Sequence, residues 1–492
     1  MRHSYRGARQ VLKAIAYGLC GGFIVLIVVA VLVLNSRPDL EAWQKVDLEE
    51  EFTADSDVQD FAGYLALENR LYQELDRKVY GATEPADPTN PGVNRYRDGS
   101  LADPRHYAEN GNRTFVLPPE NGAAPTAGVL LLHGMSDSPY SLKSLAKRFH
   151  EKGAYVIGLR LPGHGTAPSG LVSFTWEDMH AAVVLAMQHL REQVGDRPLY
   201  LAGYSNGGAL SVHYALASLE NDSLPRAEGI VLVSPAIGVT PMAALAIWQS
   251  RLGSLLGLDK LAWNSILPEY DPYKYASFAV NAGDQVYRLT KEIERDFKRL
   301  ESTGKLTSFP RTIAFQSVVD ATVSTPALIE GLFSHLPAGT DDYELVIYDI
   351  NRAALIDSLM VDQPTRKMEL IASRPENDFR LTVLTNRSAP TPVLVERTFR
   401  KGQRVGDDIA TGLEWPRGIY SLSHVSLPFS PGDELYGDFP PSPDHYRLGM
   451  VALRGERGVL QISANDQLRL RWNPFYDFQT ERAFSFLGLS PR

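Results

Sequence analysis

The stretch that most constrains this chain is Gly203-Tyr204-Ser205-Asn206-Gly207, which follows the apolar run Leu199-Tyr200-Leu201-Ala202 and leads into Gly208-Ala209-Leu210-Ser211-Val212. An apolar strand, a tight turn and a helix-like stretch in that order force two backbone segments to pass close to one another. Glycines two before and two after the serine leave room for that crossing, and the turn lifts the serine hydroxyl above the end of a sheet. Ser205 is therefore the first candidate for a reactive side chain.

Two upstream segments repeat the strand-then-loop pattern. Gly128-Val129-Leu130-Leu131-Leu132 is an apolar run suited to a strand buried on both faces, and it ends at His133-Gly134-Met135-Ser136-Asp137-Ser138-Pro139. Ser138 and Pro139 read as a helix N-cap and first helical residue. A further run, Tyr155 to Leu161, is closed by Pro162-Gly163-His164-Gly165-Thr166. In order and approximate spacing these segments resemble the α/β-hydrolase family, and within it the branch of monoglyceride lipases, serine aminopeptidases and related esterases. The resemblance implies a mostly parallel sheet flanked by helices, a helical cap and a nucleophile elbow at Ser205. It also implies an oxyanion site made by the backbone N–H groups of Met135 and Asn206, with no cofactor or metal required.

In that family the acid and the base follow the serine, acid first. Ile230 to Val233 and Thr312 to Val319 read as the next core strands, and the second runs into Asp320, the position the resemblance assigns to the acid; Asp349, after Tyr343 to Tyr348, is the second choice. Beyond Asp320 lie His335, His424 and His445. His335 falls in a helix predicted from Thr325, and His445 follows the proline-rich Pro440 to Asp444. His424 sits in a small-residue loop, Tyr420 to Pro428, of the kind that carries the family's catalytic histidine. His133 and His164 are expected to shape loops, and His180, His189 and His213 to lie on helices. The chain departs from the family between Asp320 and His424: residues 352–415 exceed the usual single helix and strand. They contain a helix-like stretch from Ala353 to Ile371 and strand-like runs at Arg380 to Thr385 and Val393 to Phe399, expected to extend the sheet edge.

Ala14 to Leu34 carries no charged residue. As a helix at about 1.5 Å per residue it matches a hydrocarbon core of about 30 Å. No small-residue cleavage motif follows it. Arg2, Arg6, Arg9 and Lys13 precede the span, and Asp39, Glu41 and Asp47 to Glu51 follow it, so the N-terminus is expected in the cytoplasm and the rest across the membrane. The single Cys20 lies inside the span, so the remainder has no intrachain disulfide. The expected division is a cytoplasmic tail (1–13), an anchor (14–34), a tether, helix and surface loop (35–112) and a hydrolase domain (113–492), with a cap near 236–310 rich in leucine and containing Trp248 and Trp263. A net charge of −9 without a basic run argues against a nucleic-acid partner.

The expected partner is thus a small-molecule or lipid ester, with a membrane contacted through residues 14–34. Three functions compete: a carboxylester or monoacyl-lipid hydrolase, a peptidase or amidase on the same fold, and a non-catalytic tethered scaffold.

Overall fold

Alternate residues of each apolar run point to opposite sides, and that two-residue period decides the layering. In the computed structural model, which describes residues 35–238, 258–337 and 341–489 with interruptions within 357–377, 400–404, 441–444 and 451–458, plus scattered positions between 13 and 32, these runs become one ten-stranded sheet. Its strands are β1 (Phe115–Leu117), β2 (Gly128–Leu132), β3 (Tyr155–Leu159), β4 (Leu199–Tyr204), β5 (Gly229–Val233), β8 (Arg311–Ser317), β9 (Tyr343–Tyr348), β10 (Arg380–Asn386), β11 (Val393–Phe399) and β12 (Asp407–Glu414). Short strands β6 (Trp263–Ser265) and β7 (Phe278–Ala279) pair separately. The order is β1-β3-β2-β4-β5-β8-β9-β10-β11-β12, parallel from β3 to β10 and antiparallel at both edges.

Leu130, Leu132, Leu201, Ile230 and Leu232 face one layer, packed with Met179 and Ala186 of helix Trp176–Val194, Leu210 of helix Asn206–Glu220 and Phe297 of helix Val280–Thr303. Val129, Leu131, Ala202, Val231 and Val233 face the other, against Leu145 and Phe149 of helix Lys143–Glu151 and Phe484 of helix Tyr476–Leu487. This is the α/β-hydrolase architecture that the strand runs predicted. Ligands of such sheets bind beyond the carboxyl ends of the strands. The loops after β2, β4 and β8 are the ones that matter here.

Three expectations need correction. Residues 36–56 are not a free tether: Leu40 and Phe52 join the main core, and Trp43 stacks on Tyr96 at 5.1 Å. Tyr96 is itself buried, so part of the surface loop expected within 35–112 is interior. Arg160, fully buried after β3, explains the attachment, since it pairs with Glu51 at 2.9 Å and with Glu68 at 3.2 Å. Polar composition misled because those carboxylates serve an interior cation. Secondly, the helix from Thr325 ends at Gly331; His335 lies in a separate turn, stacked on Phe297 and bonded to Glu301 at 2.6 Å. Thirdly, the insertion holds three strands, not two. β10 extends the parallel sheet, β11 returns as a hairpin, and β12 adds an edge strand whose exposed, acidic sequence hid it.

Within the expected cap, helix Val280–Thr303 buries Leu289, Ile293, Phe297 and Leu300 at helical spacing, and Trp263 is core. Leu245, Trp248, Leu252, Leu255 and Leu256 lie outside the described residues, as does most of the helix-like stretch from Ala353 to Ile371. Among the described residues no helix is long and apolar enough to cross a membrane, and most of the expected span at 14–34 falls outside them.

Removing one partner of a buried ion pair strands the other charge in a low dielectric. Arg160→Ala should therefore lower the unfolding free energy by about 3–5 kcal/mol in urea titrations. Arg226→Ala, which removes an exposed pair with Asp222, should leave the midpoint unchanged.

Candidate active site

The serine turn has the shape its glycines predicted. Ser205 sits between β4 and the helix from Asn206 with φ 52° and ψ −117°, a region that costs a non-glycine residue of order 1–3 kcal/mol. A Cβ on Gly203 would lie 2.4 Å from the carbonyl oxygen of Gly207, and one on Gly207 only 2.0 Å from that of Leu132. Neither position admits a side chain. Ser205 is buried, with 9% of its surface exposed.

Asp320 follows β8, with its side chain fully buried. One carboxylate oxygen accepts the backbone N–H groups of Thr322 at 2.7 Å and Val323 at 2.9 Å. The other accepts from Nδ1 of His424 at 2.8 Å and from Nε2 of Gln316 at 3.0 Å. Burial alone would raise this carboxyl, but the hydrogen bond and charge of His424, with the two backbone donors, outweigh it and hold the pKa below the ordinary aspartate value. The His424 ring lies 5.3 Å from that of Tyr204, the residue before Ser205. Asp320 and His424, separated by 104 residues, are thus brought together beside the serine turn.

Several bonds hold the His424 loop in place, three of them as follows. Ser317, at the end of β8, donates its hydroxyl to the carbonyl of Leu422; Ser423 donates to that of Leu470; and the N–H of Asn351, after β9, donates to Tyr420. Asp349, the second-choice acid, is committed elsewhere, accepting from Arg352 and Thr385 at 2.8 and 2.7 Å. His335 is held by Glu301, as described, and His445 is exposed.

Met135, in the loop after β2, and Asn206, first in the helix after Ser205, are the residues expected to supply oxyanion donors. A Cβ on Gly134 would lie 3.2 Å from Cβ of Ser205, so the loop after β2 presses on the elbow. Among the described residues neither the Met135 nor the Asn206 N–H has a hydrogen-bond partner. His133 and His164 shape these loops. His133 accepts the Leu161 N–H at 3.0 Å and donates to the Gly134 carbonyl at 2.9 Å. Burial drives the pKa of His133 well down and that of His164 to about 4, so both are neutral at neutral pH. Gln316 and Ser317 escaped sequence reasoning, because a polar residue inside a strand carries no signal of what it will bind.

The doubly layered sheet, the elbow after β4 and the carboxylate after β8 define the α/β-hydrolase fold. Residues 123–303 match the family described as serine aminopeptidase, S33. That stretch contains Ser205, Met135 and Asn206 and stops short of Asp320 and His424. A thermostable monoacylglycerol lipase of Bacillus sp. (strain H-257) is 31% identical over 125 residues, 25% of this chain and 46% of that protein. Phospholipase YtpA of Bacillus subtilis (strain 168) is 27% identical over 149 residues, 29% of this chain and 50% of the relative. The chain thus spans about half the length of each. The crystal structure of Paleococcus ferrophilus monoacylglycerol lipase covers 48% of this chain with 88% of its own, at 21% identity and a TM-score of 0.34; the fold assignment rests on this chain's own topology.

A carboxyl whose pKa is depressed on folding stabilises above its unfolded value, and that stability is lost as pH falls through the lower folded value. The stability difference between wild type and Asp320→Asn should be full at neutral pH and shrink as pH falls below about 3.8. Urea titrations from pH 7 to 3 measure it; a difference independent of pH would remove Asp320 as an ionised partner of His424.

Proposed function

We propose that the protein is a membrane-anchored serine hydrolase of carboxylic esters, acting through Ser205, His424 and Asp320. The observation that carries this reading is the 2.8 Å bond from His424 Nδ1 to the buried Asp320, formed beside the strained elbow at Ser205. With Nδ1 engaged, Nε2 of His424 is the nitrogen free to act as base. It takes the proton of the Ser205 hydroxyl as the oxygen attacks the ester carbonyl, then gives a proton to the leaving alcohol. Asp320 fixes the tautomer and stabilises the imidazolium. The tetrahedral oxyanion is held by the N–H groups of Met135 and Asn206, each contributing on the order of 10²–10³ in rate. Water then attacks the acyl-enzyme by the same steps in reverse.

The similarity to a monoacylglycerol lipase and a phospholipase supports an acyl ester of a monoacyl lipid as substrate. The match to a family described as serine aminopeptidase supports amide hydrolysis as the second reading. Residues 14–34 serve as the anchor, N-terminus cytoplasmic and catalytic domain beyond the membrane. The absence of charge there and the basic flank support this, as do Tyr17, Val25, Val28 and Leu32, helical residues that are 74, 61, 51 and 63% exposed.

Ser205→Ala should abolish labelling by a fluorophosphonate probe and lower nitrophenyl-ester turnover by roughly 10⁴-fold or more while the fold is kept. Turnover retained in Ser205→Ala would exclude the mechanism, and a wild type that neither labels nor turns over would leave a scaffold. Faster cleavage of aminoacyl anilides than of nitrophenyl esters would favour the peptidase. For the anchor, a reporter active only outside the cytoplasm should work when fused after residue 40; activity of a cytoplasm-only reporter at that junction would reverse the orientation.

A further inference from the structure

A cavity of about 270 Å³ opens beside the candidate site, between Ser136, which follows the oxyanion residue Met135, and Val425, which follows His424. This is small for a ligand pocket, typically ~300–1,000 Å³, so it suits a head group and not an acyl chain. Its wall holds three cations, Lys274, Arg469 and Arg471, against two carboxylates, Asp271 and Asp466.

Each carboxylate has hydrogen bonds from neutral donors on one oxygen. Asp271 accepts the Tyr436 hydroxyl at 2.6 Å and the backbone N–H groups of Tyr273 and Lys274. Asp466 accepts the Ser463 hydroxyl at 2.7 Å. Of the cations, Lys274 is paired with the buried Asp137 at 3.2 Å. Neither guanidinium makes an ion pair within 4 Å among the described residues, although the charge of Asp271 acts on Arg471. Arg471 donates to the Tyr270 hydroxyl and, at 3.4 Å, to the Asp466 carbonyl, both neutral acceptors. Arg469 makes no hydrogen bond or ion pair among the described residues, although it is half-buried and lies close enough to Tyr204 to influence it electrostatically. Arg160, Arg352 and Arg482 show the contrast, each partly or fully buried against a carboxylate within 3 Å. A desolvated guanidinium without a counter-ion is costly, and its planar donor set fits an oxyanion.

We infer that this cavity is a head-group subsite that binds a phosphate monoester on the alcohol side of the substrate, with Arg469 and Arg471 as its donors. The alcohol side follows from geometry, since His424 must hand its proton to the leaving oxygen and Val425, its neighbour, lines the cavity. The inference rests on the ester-hydrolase reading above and narrows it to anionic monoacyl lipids. Arg469 and Arg471 are specificity residues here; the reacting atoms belong to Ser205 and His424.

The test uses the intact protein in detergent and three lauroyl esters, of glycerol, of glycerol 3-phosphate and of its choline diester. Wild type should turn over the phosphate monoester with the highest kcat/KM. The ratio of its kcat/KM to that of the neutral ester should fall at least about tenfold in Arg469→Gln and in Arg471→Gln, the size expected from one charge-assisted hydrogen bond. Arg226→Gln, far from the cavity, should leave the ratio unchanged. Titration calorimetry with sn-glycerol 3-phosphate supplies a readout that needs no catalysis: heat of binding in wild type, lost in Arg469→Gln. Turnover of all three esters without head-group preference, or a ratio unmoved by both variants, overturns the subsite and leaves the hydrolase standing. Binding of glycerol 3-phosphate without preference for its ester makes the site one for a free anion and overturns the head-group assignment. Calorimetric binding with no turnover of any ester and no probe labelling overturns the hydrolase reading instead.

Discussion

The hydrogen bond between His424 and Asp320 is the constraint on which the candidate site depends, because it closes a loop of 104 residues at the carboxyl edge of the sheet. A bond of that span cannot be a local accident of the chain. It exists because β8 ends at Asp320 and because Ser317, in the same strand end, grips the carbonyl of Leu422 two residues before His424. The intervening strands β10 to β12 add to the edge of the sheet and so leave the path between the two residues clear. An insertion that grew over the strand ends would have separated the pair; one that grew outward does not.

Around this bond the site is held before any substrate arrives. Asp320 has four hydrogen-bond partners and no freedom to turn, Ser205 is fixed by crossings that admit no side chain at Gly203 or Gly207, and His133 and His164 are neutral braces. Preorganised donors need little rearrangement when charge develops, and this is where such sites gain most of their rate. Strain of the kind seen at Ser205 persists only where the surrounding structure holds it, and the neighbouring strands β2, β4 and β5 are buried throughout.

Legibility followed the strength of the local signal. The strained turn at Ser205 was legible because it needs glycines at fixed offsets, and the place of Asp320 at the end of β8 came from the family likeness. The family likeness and the position of His424 in a small-residue loop singled it out; the roles of Ser317, Gln316 and Ser423 around it were not legible, since nothing in a serine or glutamine tells which distant carbonyl or carboxylate it will meet. The acidic segment 47–51 reads as a solvated tether from its charge alone, whereas Glu51, with Glu68, neutralises the interior Arg160. β12 went unseen because an edge strand with exposed acids lacks the alternation that reveals buried ones. Arg469 and Arg471 gave no sequence signal, because what a guanidinium meets, or fails to meet, is visible only in three dimensions.

The most direct measurement is a crystal structure of the protein after reaction with a fluorophosphonate. The expected result is a phosphonyl group on Ser205 Oγ, its phosphoryl oxygen within hydrogen-bond distance of the Met135 and Asn206 N–H groups, and His424 facing it while still bonded to Asp320. A phosphonyl group on another residue, or one on Ser205 whose oxygen points away from those two N–H groups, would contradict it.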